Sequence, residues 1–159
     1  MTKELYIEEL IRTLQLAPLE AEGGMVRETY RGSLGSAIFY LLTGNGYSHL
    51  HRLQGDEMYH FYDGDPVELV ELIPDGSVRV TVLGKDLAAG QKVQHLIPGG
   101  NWQGSCLLRK DAGYALLGTT MWPGYRNEEY EHGDREVLLS EYPEAETYIM
   151  RLTGEPKYR

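Results

Sequence analysis

From about residue 25 to residue 121, apolar and polar positions alternate in short runs that suit extended backbone. The runs are "SAIFYLLT", "YSHLHRL", "EMYHFYDG", "VELVELI", "SVRVTVLG", "KVQHLIP", "SCLLR" and "YALLGTTM". Each is bounded by turn-forming residues, which predicts eight strands. "DGDP" at 63–66 ends one of them, and "PDG" at 74–76 pre-sets a tight reversal between two others, so these neighbours are expected to be antiparallel. No helical pattern repeats between the strands, as a parallel sheet would need. The expected class is therefore all-β with flanking helices, a sandwich or a barrel.

The flanks carry a different period. Ile7, Leu10, Ile11 and Leu14 recur at helical spacing, predicting an amphipathic helix over about 3–16 that ends before Pro18 and serves as a lid or a brace. Pro143 suits a first helical turn, and "EAETYIMRL" behind it predicts a second helix over about 143–152. No linker, internal repeat or low-complexity segment interrupts the chain, so residues 1–159 are expected to form one domain.

Composition narrows the function classes. With 42% apolar residues, 12 tyrosines and 19 glycines, the chain is too hydrophobic for a disordered protein and rich in turn-formers. Its 24 acidic and 15 basic residues give a net charge of −9, and no stripe of lysine or arginine exists to neutralise phosphates. Nucleic acid is excluded as an expected partner. The run "AIFYLL" is far shorter than the roughly 20 residues of a membrane span, and "MTKELYIEELIRTLQL" lacks the apolar centre of a secretory signal. A soluble, cytoplasmic protein with no membrane partner is expected. The single cysteine, Cys106, leaves no intramolecular disulfide and reads as a buried, inert thiol in a strand.

The candidate chemistry lies in "YSHLHRLQGDEMYHFYDGDP", residues 47–66. Alternate side chains of a strand share a face, so His49 and His51 are expected to point the same way. The "LQGD" stretch can turn the chain and return Glu57 beside them. Two imidazoles and one carboxylate on a facet suit iron, manganese, nickel or zinc. Without metal, the same groups suit acid–base chemistry, with His51 as base, Glu57 orienting it and Tyr59 as an acid on the strand face of Glu57. His60 is out of phase with Glu57, Tyr59 and Phe61 and should face away, at a surface or interface. His95 and His132 have no partners at metal-like spacing and are expected to be solvated. Arg27 and Glu28, beside Gly23 and Gly24, are candidates for clamping a charged group or for a structural salt bridge. Trp102 and Tyr125, with Trp122, are candidates for an aromatic wall at a pocket mouth. "GGNWQG" lacks the lysine and helix of a P-loop and fails the dinucleotide spacing.

Gly46, the His-x-His pair, Glu57 and Gly64 resemble the first motif of the cupin superfamily, and "HLIPGGNWQG" at 95–104 resembles the second. With "EGGMVRETY" at 22–30 and "GTTMWPGY" at 118–125, the chain resembles the cupin-5 subgroup, a family catalogued as a domain of unknown function. The resemblance implies a double-stranded β-helix, or cupin jelly roll, usually paired into a homodimer. It implies a divalent transition metal at His49, His51 and Glu57, with a fourth ligand from the second motif. Where that motif places a histidine, three residues after Gly100, this chain has Gln103, a weaker ligand whose amide softens the site. The acid–base reading resembles, by analogy and without a matching motif, the metal-free sugar-nucleotide epimerases of the superfamily, which use a histidine base and a tyrosine acid.

The expected function is thus that of a cupin enzyme acting on a sugar or small carboxylic acid. Isomerisation or epimerisation follows from the acid–base reading; oxidation, decarboxylation or hydrolysis follows from the metal reading. The alternative is a non-catalytic cupin that binds or senses a small ligand.

Overall fold

The computed structural model describes residues 1–159. A first helix, α1 (Lys3–Leu14), starts on Thr2, whose side chain accepts from the Leu5 amide, and ends where Gln15 turns left-handed. Eleven strands follow: β1 (Ala17–Pro18), β2 (Met25–Arg31), β3 (Ser36–Thr43), β4 (Tyr47–Arg52), β5 (Asp56–Gly64), β6 (Val67–Leu72), β7 (Val78–Leu83), β8 (Gln94–Ile97), β9 (Trp102–Leu107), β10 (Tyr114–Trp122) and β11 (Glu131–His132). Two short helices, α2 (Arg135–Glu141) and α3 (Glu146–Arg151), close the chain.

The eight expected runs are all strands, and every pairing between named strands is antiparallel. They form a six-stranded sheet, β1-β2-β3-β10-β5-β8, and a five-stranded sheet, β11-β4-β9-β6-β7. Three strands lie outside the expected set: β2 in the "MVRETYR" segment, and the two-residue β1 and β11, too short to carry a periodic signal. The expected C-terminal helix is instead a 3-10 turn, Pro143–Ala145, followed by α3, and α2 precedes it where no helix was expected. Asp134 caps α2 by accepting from the Val137 amide.

Three apolar clusters hold these layers. Between the sheets, inward residues such as Tyr40, Leu42, Phe61, Leu69, Leu83 and Leu117 form the central core. On the outer face of the five-stranded sheet, Leu138, Ile149 and Leu152 from the C-terminal region cover Leu50, Val70 and Leu72. Each fully buried side chain of this size contributes about 1.5–3 kcal/mol. Ile7, Leu10, Ile11 and Leu14 of α1 pack around Leu16, Met25, Leu41 and Tyr114 on the outer face of the other sheet. The first helix is therefore a brace. It contributes no residue to the cavity lined by Tyr40, Glu57 and Tyr59.

One turn fixes the register between the sheets. After β5 the chain crosses to β6 through Gly64, whose φ of 98° is left-handed, and Asp65, which is buried. The Asp65 carboxylate accepts from the backbone amides of Ala112 and Gly113, tying this crossing to the loop before β10. A Cβ at Gly64 would lie 2.2 Å from the carbonyl oxygen of Tyr114. A Gly64→Ala substitution therefore combines backbone strain with a backbone clash and should cost about 2–4 kcal/mol. Urea unfolding of the two proteins measures it; a loss below half a kcal/mol, on the order of a neutral surface change, would contradict the account.

Candidate functional site

β4 departs from simple alternation. Ser48 pairs with Ser105, but His51 pairs with Gln103, so four residues of β4, 48–51, span the length of three in β9. The extra residue is a β-bulge. Tyr47 and Leu50 face the covering helices. Ser48 and His51 reach the opposite side, where both meet Glu22. The His49 ring turns towards β11 and stacks on His132 with centroids 3.7 Å apart.

Both imidazoles are buried, and their protonation pattern follows from their partners. Nδ1 of His49 donates to the Leu50 carbonyl and Nδ1 of His51 to the His49 carbonyl, because a carbonyl can only accept. Nε2 of His51 is then left facing Glu22 Oε1 at 3.5 Å, while the ring stacks on Tyr130. Glu22 also accepts from Ser48 Oγ at 3.1 Å, and its backbone carbonyl accepts from the His49 amide. Thus the chain reversal between β1 and β2 delivers a carboxylate onto the inner face of β4. Burial drives the His49 pKa down to about 4, the Leu50 hydrogen bond opposes this, and the charges of His132 and His51 add to it.

Facing this pair, β3, β10, β5 and β8 line up Ile38, Thr119, Tyr59 and His95 through their registers. Across the sandwich, β4, β9 and β6 line up His51, Gln103 and Glu71. Two hydrogen bonds join the rows: Tyr59 donates to Gln103 Oε1 at 2.8 Å, and His95 Nε2 donates to Glu71 Oε2 at 2.8 Å. Asn101 also donates to Glu71. Burial by itself would raise the Glu71 pKa; hydrogen bonds from His95 and Asn101, with the charges of His95 and Arg79, bring it below the ordinary value.

Above the rows is a cavity of about 400 Å³. Four glutamates line it, Glu20, Glu22, Glu28 and Glu57, and no lysine, arginine or histidine does. Four tyrosines, Tyr40, Tyr59, Tyr125 and Tyr130, supply much of its wall. Glu57 is buried and its Oε1 has no hydrogen-bond partner. Burial raises its pKa against the opposing charge of His51, and the charge of Glu22 raises it further; Thr119 and Gln103 act in the lowering direction. Both Glu57 and Glu22 line this one small volume, and the raised pKa favours the protonated form of Glu57 relative to an exposed glutamate.

A family model described as Cupin superfamily (DUF985) matches residues 8–133. The chain belongs to this cupin family. Among solved structures, protein SO0799 from Shewanella oneidensis is 33% identical to this cupin, with a TM-score of 0.87 over 93% of this chain and 97% of that one. A hypothetical protein from Leishmania major is 28% identical, again with a TM-score of 0.87, over 93% and 98% of the two chains. Oxalate decarboxylase from Bacillus subtilis is 13% identical with a TM-score of 0.60, over 90% of this chain and 38% of its own, a likeness of fold. No curated protein matches the chain. No helix of this cupin is long and apolar enough to cross a membrane.

The expected transition metal meets a donor set that does not fit it. No three His, Cys, Asp or Glu side chains converge on one point. The bulge turns His49 onto His132, and Gln103 Oε1 is engaged by Tyr59. Two of the four expected ligands are thus committed to other partners.

Other expected site residues fall in two groups. Glu28, Glu57, Tyr59 and Tyr125 line the cavity; His51 lies behind Glu22, and Gln103 behind Tyr59. Tyr59, expected as an acid, directs its hydrogen to Gln103, and burial pushes its pKa well up. Arg27 is not a cavity residue: strand alternation puts Val26 and Glu28 into the wall, while Arg27 donates to the Leu14 carbonyl outside. The rim arginine is Arg31, paired with Glu28 at 2.6 Å and donating to the Tyr125 carbonyl. Trp102, expected at the mouth, is buried under the C-terminal helices with Arg52 over its ring.

His95, expected to be solvated, is buried against Glu71. His132 is exposed yet stacked on His49. His60 bonds Thr120 and Gln94, away from the cavity. Cys106 is only partly buried, and burial raises its thiol pKa against the influence of Arg151. Glu22 was missed by sequence reasoning. Its one visible signal was the adjoining Gly23 and Gly24.

The buried His49 makes a pH-dependent contribution to stability. An unfolded histidine titrates near 6.5 and the folded one near 4, so within that window the unfolded chain binds more protons. The contribution is complete above about pH 6.5 and falls as pH drops towards 4, by up to about 3 kcal/mol. Urea unfolding from pH 7 to pH 4 should give a shallower loss for His49→Phe, which keeps a ring on His132. An unchanged slope would rule out His49 as its source.

Proposed function

We propose that this cupin binds a small organic molecule in the glutamate- and tyrosine-lined cavity and moves a proton on it without metal, as an isomerase or epimerase does. The observation that carries the reading is the buried Glu57, with a raised pKa and an unpartnered oxygen, opposite Glu22, which touches Ser48 and His51. In this reading Glu57 donates a proton on one side of the substrate. Glu22 accepts one on the other side and can share it with His51 Nε2 behind it. His51 is then a positioning residue acting through Glu22. A small carboxylic acid, one of the two substrate classes expected, is disfavoured, because an anion would enter a wall of four glutamates with no cationic side chain. A homodimer remains part of the proposal, supported by the family resemblance.

The test is exchange of carbon-bound hydrogen. Protein dialysed against chelator is incubated in D₂O with a panel of neutral and amino sugars, and loss of C–H signal is followed by NMR. Exchange is expected to survive chelation and to fall about 100-fold or more in both Glu57→Gln and Glu22→Gln. Exchange that needs added metal, or that neither variant slows, would overturn the assignment, as would exchange with none of the panel.

A further inference from the structure

The charge of the cavity says more about its ligand than the reaction class does. Glu20, Glu22, Glu28 and Glu57 line one cavity, and the only side chain of opposite charge bonded to any of them at the rim is Arg31, which lies on the exposed side of Glu28. His51 approaches Glu22 from behind the wall. Glu57 is 7% exposed, faces the cavity and leaves Oε1 without a donor. A buried carboxylate oxygen with no donor is costly, and a ligand N–H would satisfy it.

The tyrosines add the second half of the recognition. Tyr40 and Tyr59 are buried and have committed their hydroxyl hydrogens, to the Gly23 carbonyl and to Gln103. Their remaining contribution to the cavity is the ring. Tyr125 and Tyr130 complete the aromatic wall. Aromatic faces attract cations, and more strongly where water is excluded. Apart from its glutamates, Ser36, Thr119 and Asn127, the lining is largely apolar, including Leu19, Val26, Ile38, Leu53 and Met121. That lining suits a compact organic body carrying one charged group.

We propose that the cavity selects a small organic amine in its protonated form, whose ammonium donates to Glu57 while its carbon frame packs against the tyrosines. This rests on the cavity being the ligand site of the proposed function, but not on catalysis. The Oε1 acceptor calls for a hydrogen-bond donor, which a primary ammonium has and a quaternary one lacks, so the primary ammonium is favoured over the quaternary one of the same frame.

Cyclohexylammonium, cyclohexanol and cyclohexanecarboxylate share one ring and differ in the charge of one substituent. Their binding to the full chain at pH 6.5 is measured by isothermal titration calorimetry, with thermal shift as a second readout. The ammonium is expected to bind at least tenfold more tightly than the alcohol, the carboxylate more weakly than either, and the N,N,N-trimethyl ammonium more weakly than the primary amine. In Glu57→Gln the preference for ammonium over alcohol should shrink about tenfold while affinity for the alcohol is retained. Equal affinity for ammonium and alcohol, preference for the carboxylate, or no preference among the probes would overturn the proposal. So would a Glu57→Gln variant that keeps the full preference. If that variant does not fold, the wild-type ranking still decides. Amine selectivity without hydrogen exchange would remove the catalytic reading and leave this one standing; exchange of neutral sugars with no amine selectivity would do the reverse.

Discussion

One extra residue in β4 determines which side chains reach the interior. A regular strand would carry His49 and His51 on the same face, beside Glu57, and three ligands could then meet. The bulge opposite Ser105 and Gln103 breaks that phase. His51 stays with the inner row while His49 is turned onto β11 and stacks on His132. Because side chains alternate with period two, one inserted residue has the same effect as a register slip, confined to one position. Glu22, from outside the strand altogether, faces His51 Nε2 and accepts from Ser48. The neighbour of His51 on this side is thus a carboxylate, not the second imidazole of a metal site.

The inner rows explain how a sandwich of this size accommodates so many buried polar groups. Glu71, His95 and Asn101 satisfy one another, and Tyr59 satisfies Gln103. Fully connected polar groups of this sort cost little to bury and fix the pairing of the two sheets. Four buried polar atoms are left without a partner, in Thr43, Glu57, Trp102 and Ser105. Of these only Glu57 Oε1 belongs to a residue of the cavity wall, where a ligand could complete it.

Much of the architecture was legible in the sequence because periodicity and turn chemistry are local signals. All eight β-type runs are strands, and "PDG" does reverse β6 into β7. "DGDP" does end β5, but its Gly64 and Asp65 carry the chain across to the other sheet rather than to a paired neighbour. The site was harder to read, since its decisive features are not periodic. A bulge has no signature in "YSHLHRL", where the alternation looks intact. Glu22 and His51 are distant in sequence, and so are Glu71 and His95. The pair Gly23–Gly24 held the best clue, with φ of 96° and 74°. A Cβ at Gly23 would come 2.4 Å from the Tyr47 carbonyl oxygen. Two glycines there allow the chain to press against β4, and that contact inserts Glu22.

Proton transfer and amine binding bear on each other through Glu57. Burial raises its pKa, the charge of His51 opposes this, the charge of Glu22 adds to it, and Thr119 and Gln103 act in the lowering direction. Burial raises the pKa values of Tyr59 and Tyr125 as well, and the charge of Glu57 adds to both. An ammonium bound at Oε1 would favour the carboxylate and pull the Glu57 pKa down. The proton must then leave, and Glu22 on the cavity wall, with His51 behind it, offers one acceptor pair. Ligand charge would therefore set which carboxylate begins the cycle as acid. A neutral sugar would leave Glu57 protonated and ready to donate, whereas a cationic substrate would make Glu57 an anchor and move the proton-transfer role to the Glu22–His51 pair. Under the proposed function, the same side chains support two different divisions of labour, and the charge on the ligand chooses between them.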